Sequence, residues 1–251
     1  MTEPSRAKLQ SQATKDKLIV ALDVETASSA REIVSALAGE VGAFKIGLQL
    51  FVSCGPIFVK ELVDSGERIF LDLKFHDIPH TAAKACVEAA RLGVWMFNVH
   101  ALGGSEMMRR SVEEVADVCS RENLETPKII AVTVLTSSNA TTLREVGIGL
   151  EVEEEVLNLA RLTAECGLDG VVASPLEIVK IRQNIDDRRF LIVTPGIRPS
   201  FATNDDQKRV MTPKEAVAAG SDYLVIGRPI TQTKDRLSAV KRILEELEVA
   251  S

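Results

Sequence analysis

The segment LDLKFHDIPHT at 71–81 gathers ionisable side chains at the end of an apolar run. Asp72 and Lys74 lie two apart, so a regular strand would point both to one face. Asp77 follows three residues later, where the run gives way to a loop and Pro79 suits the first turn of a helix. Three charges at the end of a buried strand are costly unless they pair. The bland reading is an ion pair that closes the rim of a sheet. The functional reading is a site in which carboxylates hold a lysine charged and ready to give up a proton. Asp23 and Lys45, each at the end of another apolar run, favour the second reading. Two carboxylates and two ammonium groups would then alternate around one pocket.

Metal chemistry competes for the same residues. His76 and His80 have the i, i+4 spacing of a helical zinc pair. Pro79 between them and the missing Glu argue against the H-E-x-x-H pattern. With three histidines in the chain, little is left to complete a zinc site, and His76 reads as structural packing. Magnesium on Asp72 and Asp77 would suit a hard cation better. No metal site is expected. The VTVLTSS segment (132–138) ends a strand with hydroxyls that by themselves suggest turn chemistry. Gln207, in the polar stretch NDDQKR, reads by itself as a solvated loop residue.

Such groups need a frame. Short apolar runs recur at 18–23, 43–48, 68–74, 94–100, 128–135, 170–174, 190–196 and 222–227. Amphipathic stretches near 27–39, 55–66, 78–92, 104–122, 151–166, 175–184, 213–219 and 232–248 alternate with them. Eight strand–helix units in 251 residues, about 31 each, predict a single (β/α)₈ TIM barrel of the α/β class. A doubly wound open sheet would suit the same alternation, but eight units favour closure. The apolar runs are nearly continuous, as strands covered on both faces should be. Polar residues collect where the runs end: His100, Thr136, Ser174, Arg198 and Arg228, besides the charges above. In such barrels the C-terminal strand ends carry the site, and a phosphate commonly sits beside the loops after strands seven and eight. That expectation falls on TPGIRP (194–199) and IGRP (226–229), each with a Gly for close backbone approach and an Arg for charge.

Composition narrows the class. The chain is 45% hydrophobic and carries 30 Lys and Arg against 36 Asp and Glu, a net charge of −6. An acidic surface argues against general nucleic-acid or anionic-membrane binding. No apolar stretch is long enough to span a bilayer. Residues 1–17 lack a hydrophobic stretch and read as a polar arm rather than a secretory signal, leaving 18–251 as the barrel. Cys54, Cys86, Cys119 and Cys166 form no C-x-x-C pair, and a reduced, inert state is expected. These features predict a cytoplasmic protein.

The segments ALDV (21–24), FKIG (44–47), LDLKFHDIP (71–79), VTVLTSS (132–138), TPGIRP (194–199), DDQKR (205–209), MTP (211–213) and GSDYLVIGRPIT (220–231) together closely resemble the orotidine 5'-phosphate decarboxylase family in its bacterial form. The resemblance implies a homodimeric barrel that converts orotidine 5'-phosphate to UMP and CO₂ in de novo pyrimidine biosynthesis, without a cofactor. It implies that Asp23 and Lys45 contact the ribose, Lys45 also joining the charged network. Asp72 would be the central carboxylate and Lys74 the proton donor. Asp77 would reach into the partner subunit's site, with Ile78 and Thr81 beside it. Thr136 would lie near the pyrimidine, while Arg198, Gln207, Gly227 and Arg228 would hold the phosphate. His80 stands where bacterial members usually carry Asn. Two alternatives share the barrel: a Mg²⁺-dependent phosphosugar decarboxylase or aldolase, and a phosphate-binding barrel without catalysis.

Overall fold

The computed structural model describes residues 12–202 and 211–248. Eight parallel strands close into a barrel in chain order: β1 (Leu18–Ala21), β2 (Ala43–Gly47), β3 (Ile69–Phe75), β4 (Met96–His100), β5 (Lys128–Val132), β6 (Gly170–Val172), β7 (Leu191–Thr194) and β8 (Tyr223–Ile226). Leu18 pairs with Leu224 to complete the ring. The outer layer comprises α1 (Ala27–Leu37), α2 (Leu48–Asp64), α3 (Pro79–Arg91), α4 (Gly104–Glu122), α5 (Ala140–Glu145), α6 (Val152–Glu165), α7 (Ile178–Asn184), α8 (Pro213–Ala219), α9 (Arg228–Thr231) and α10 (Arg236–Glu248). The expected (β/α)₈ barrel is what forms.

Local signals start the helices. The Thr26 hydroxyl accepts from the Ser29 amide ahead of α1, and Thr212 and Glu215 cap each other at α8. Pro79 opens α3, where its missing N–H leaves no intrahelical bond unmade. Two features depart from the periodicity. Helical backbone begins at Leu48 rather than near 55, with Gly55 (φ 71, ψ 179) interrupting it ahead of Pro56. The apolar LQLFVSC stretch hid that start. Helices α5 and α9 are too short to leave a periodic trace.

Two cores follow from the pleat. Ile19, Ala43, Phe70, Met96, Ile130 and Val193 point into the barrel and form one cluster, while outward-facing strand residues pack with the helices in a larger one. Each fully buried large side chain contributes about 1.5–3 kcal/mol. Two residues further along three neighbouring strands, the inward positions change character. Ala43 is succeeded by Lys45, Phe70 by Asp72 and Met96 by Asn98. The apolar filling therefore forms a floor, and polar groups stand on it at the C-terminal strand ends.

The opposite end is plugged. Arg68 lies over the Trp95 ring at 4.7 Å, and Trp95 meets Tyr223 edge-on with centroids 5.1 Å apart. Residues 12–16, the described end of the polar segment 1–17, form a helical turn. Its Asp16 pairs with Arg68 at 3.2 Å. A Cβ at Gly42 would come 2.4 Å from the Asp16 carbonyl oxygen, so the close approach of this turn requires glycine there. Among the described residues, no helix is long and apolar enough to cross a membrane.

Candidate active site

The mouth of the barrel is organised by an irregularity in β3. From the pair Leu71–Phe97 to the pair Phe75–Val99, β3 advances four residues while β4 advances two. The strand bulges at that point. Lys74 sits in the bulge with φ 54, a left-handed conformation that costs a residue with a Cβ about 1–3 kcal/mol. Simple alternation therefore does not describe this residue, and the expectation of one regular strand face for Asp72 and Lys74 is corrected. The Lys74 ammonium nevertheless donates to Asp72 Oδ1 at 2.6 Å. Lys45, from β2, lies 3.3 Å from Asp72 Oδ2 and donates to Asp23 Oδ1 at 3.2 Å. The result is one continuous chain of alternating charge: Asp23, Lys45, Asp72, Lys74.

Exposure grades along this chain. The side chains of Lys45 and Asp72 are 11% and 15% exposed, that of Lys74 30% and that of Asp23 58%. Burial works to raise the Asp72 carboxyl, but Lys45 and Lys74 beside it, with hydrogen bonds from Lys74 and Asn98, hold it below the usual carboxylate range. Burial likewise works to lower Lys45, yet Asp72 and Asp23 raise it above the ordinary lysine value. Both groups stay charged in the partly dry interior. A Cβ at Gly47 would come 3.1 Å from the Lys45 ammonium, so this small residue leaves room for the Lys45–Asp23 contact.

The charged chain forms one wall of a cavity whose floor is Ala21, Phe70, Val132, Val172 and Val225. Thr136, Gly196, Arg198, Gly227 and Arg228 complete its lining, with Gly227 beside Asp23. Gly196 has φ 78, so the turn after β7 demands glycine. The two arginines and two glycines of this lining can grip an anion, and Lys74 offers an ammonium to a reacting atom.

Asp77, Ile78 and Thr81 are not brought into this cavity. Asp77 is exposed, and its Oδ1 accepts from the Ile78 amide at 2.7 Å. Ile78 is 68% exposed, and Thr81 is exposed on the first turn of α3. Gln207 lies outside the described residues. Both Asp72 oxygens are taken by Lys45, Lys74 and Asn98, so Asp72 and Asp77 do not assemble the cation site considered above. Among the described residues, no three His, Cys, Asp or Glu side chains gather as metal ligands. His76 stacks on His100 with ring centroids 5.4 Å apart, whereas His80 contacts Arg110 at 3.1 Å. Burial, helped by His76 and Lys74, pushes His100 down to about 4. His100 therefore adds no second cation beside Lys74 at neutral pH. Cys86 is buried with its thiol pushed up to about 12, which suppresses the thiolate.

Asn98 was missed by sequence reasoning. It is fully buried on β4; its Oδ1 accepts from the Lys74 amide at 2.8 Å and its Nδ2 donates to Asp72 Oδ1 at 2.7 Å. The signal was a lone amide in the apolar run VWMFNVH. A polar group placed on a covered strand must have a partner.

A closed (β/α)₈ barrel with a lysine–carboxylate chain over an anion-accepting cavity defines a barrel enzyme of the kind that acts on small phosphorylated molecules. A family model described as "Orotidine 5'-phosphate decarboxylase / HUMPS family" matches residues 16–243, and the chain belongs to that family. Orotidine 5'-phosphate decarboxylase of Syntrophotalea carbinolica is 56% identical over 236 residues, covering 94% of this chain and 96% of that one. The protein of the same name in Geobacter sulfurreducens is 53% identical over 233 residues, covering 93% and 96%. The crystal structure of orotidine 5'-phosphate decarboxylase from Lactobacillus acidophilus superposes with a TM-score of 0.81 at 39% identity, covering 92% of this chain and 98% of that one.

Proposed function

We propose that this chain decarboxylates orotidine 5'-phosphate to UMP and CO₂, the decarboxylation step of pyrimidine nucleotide synthesis, with Lys74 as proton donor and no metal or organic cofactor. The observation that carries the reading is the Asp23–Lys45–Asp72–Lys74 chain lining one cavity together with Arg198 and Arg228. In the reaction, the bond from pyrimidine C6 to the carboxylate breaks and its electron pair stays on C6 as CO₂ leaves. Lys74 gives its proton to C6 and regains one from solvent. The carbanion is poorly delocalised, so fixed charge must stabilise it. An ammonium about 4 Å away supplies about 4 kcal/mol at an effective dielectric near 20. Asp72 beside the substrate carboxylate opposes that charge in the ground state and orients the Lys74 ammonium through their hydrogen bond. Asp23 and Lys45 bind the ribose, and Thr136 lies near the pyrimidine.

At the far end, Arg198, Gln207, Gly227 and Arg228 bind the phosphate. That remote contact supplies binding energy that orients the ring. Arg228→Ala is expected to raise KM for orotidine 5'-phosphate by about 10²-fold, the loss of one charge-assisted contact of about 2–3 kcal/mol, with a much smaller change in kcat. Steady-state kinetics check this; an unchanged KM removes Arg228 from the phosphate site.

The reading includes a homodimer in which Asp77, with Ile78 and Thr81, completes the neighbouring site. Leu48, Val52, Ile78 and Leu102 are exposed large apolar residues just beyond the C-terminal ends of β2, β3 and β4, which are neighbours in the barrel. An apolar rim of that kind supports a covered face beside the mouth. The test of the function is release of CO₂ from orotidine 5'-phosphate by purified protein in excess chelator. Sustained turnover is expected. Loss of activity in chelator with rescue by Mg²⁺ would move the chain to the phosphosugar branch of its family, and binding without turnover would leave a ligand-binding barrel.

A further inference from the structure

We propose that Asn98 is a positioning residue for the proposed decarboxylation, its carboxamide locking the bulge of β3 so that Asp72 and Lys74 meet the substrate in one fixed arrangement. The inference rests on the decarboxylase reading and extends it to a residue that does not touch the reacting atoms. Three observations carry it. The Asn98 side chain is wholly buried, yet both of its hydrogen bonds go to the two functional residues of β3 and none to its own strand. Its acceptor takes the amide proton of Lys74, which the register shift has removed from the regular ladder. Its donor fixes the same Asp72 oxygen that receives the Lys74 ammonium. One side chain thus holds the backbone of the proposed proton donor and the carboxylate that orients it.

The bland alternative is a buried amide retained only because its hydrogen bonds are satisfied. That alternative does not explain the choice of partners. Position 98 continues the inward series after Met96, where an apolar side chain would extend the barrel floor. Filling it with an apolar residue would strand the Lys74 amide and leave Asp72 Oδ1 with the Lys74 ammonium alone. Lys74, unusual in having a positive φ, would then lose the contact that defines its backbone.

Two variants separate positioning from stability. In Asn98→Ala both contacts vanish, and kcat for orotidine 5'-phosphate is expected to fall about 10²-fold, the scale of a misplaced reacting group. KM and UMP affinity should stay close to wild type, since the phosphate end is untouched. The variant should still melt cooperatively, at a somewhat lower temperature because the Lys74 amide loses its acceptor. Asn98→Asp is nearly isosteric and preserves the acceptor for the Lys74 amide. Its new carboxyl faces Asp72, with Lys45 and Lys74 on Asp72, Asp23 beyond Lys45, and the His76–His100 pair beside Lys74. Protonated, it can still donate to Asp72 Oδ1; ionised, it repels it. The variant should therefore show a new limb in its kcat–pH profile, with activity falling as pH rises, that wild type lacks.

A merely structural Asn98 would lower UMP affinity along with kcat, and Asn98→Asp would follow the wild-type pH profile. Those results overturn the inference, as does a kcat for Asn98→Ala within about threefold of wild type. Should the alanine variant fail to fold, the pH profile of Asn98→Asp decides alone. Wild-type protein inert toward orotidine 5'-phosphate would overturn the decarboxylase reading and this inference with it. Active wild type with indifferent Asn98 variants would overturn the inference only.

Discussion

Lys74→Ala is expected to lower kcat by at least about 10⁵-fold while UMP affinity and the fold remain near wild type. Two losses multiply. Removing an ammonium about 4 Å from the developing carbanion forfeits about 4 kcal/mol, or about 10³ in rate. Losing a placed general acid costs a further factor of about 10²–10⁴. The side chain is 30% exposed, so the cost in stability is small beside the cost in rate. Asp72 keeps Lys45 and Asn98 as partners, which prevents an uncompensated buried charge in the variant. Lys74→Arg divides the two effects: it preserves the positive charge but resists giving up a proton at neutral pH. Single-turnover measurement of CO₂ release checks the series. A variant that keeps most of its kcat would show that another group protonates C6.

Mixing two inactive variants is expected to restore activity. The exposed Asp77, turned away from its own cavity, is the reason. In a two-fold dimer each subunit gives what it receives. Lys74→Ala and Asp77→Ala proteins, dissociated and reassociated together, form mixed dimers in about half of random pairings. One site of each mixed dimer combines an intact Lys74 from one chain with an intact Asp77 from the other, and the second site lacks both. Activity should recover to about a quarter of wild type. Sites built from a single chain would give no recovery and would confine Asp77 to its own barrel. Substantial activity in Asp77→Ala alone would remove it from catalysis altogether.

The barrel itself was legible because its signal is repeated. Eight apolar runs alternate with eight amphipathic stretches, and errors at single boundaries do not change that count. The early start of α2 at Leu48 escaped because an apolar helical turn directly after a strand carries no change of composition. The same logic governs the cavity. Asp23, Lys45, Asp72 and Lys74 stood out as charges at the ends of apolar runs, and Gly227 and Arg228 as the turn after the last strand.

Composition and periodicity thus determined the strands, their parallel order and the end of the barrel where polar chemistry gathers, because each depends on residues near in sequence. The tertiary structure decided what depends on neighbours across strands. It placed Lys74 in a bulge, which follows from how β3 registers against β4 and not from the residues of β3 alone. It made Asn98, twenty-four residues from Lys74, a partner of both ends of D-x-K. It also turned Asp77 out of its own cavity, since the chain leaves β3 through an exposed loop before Pro79. A side chain's type sets what it can donate or accept; only closure of the barrel sets what stands within 3 Å of it.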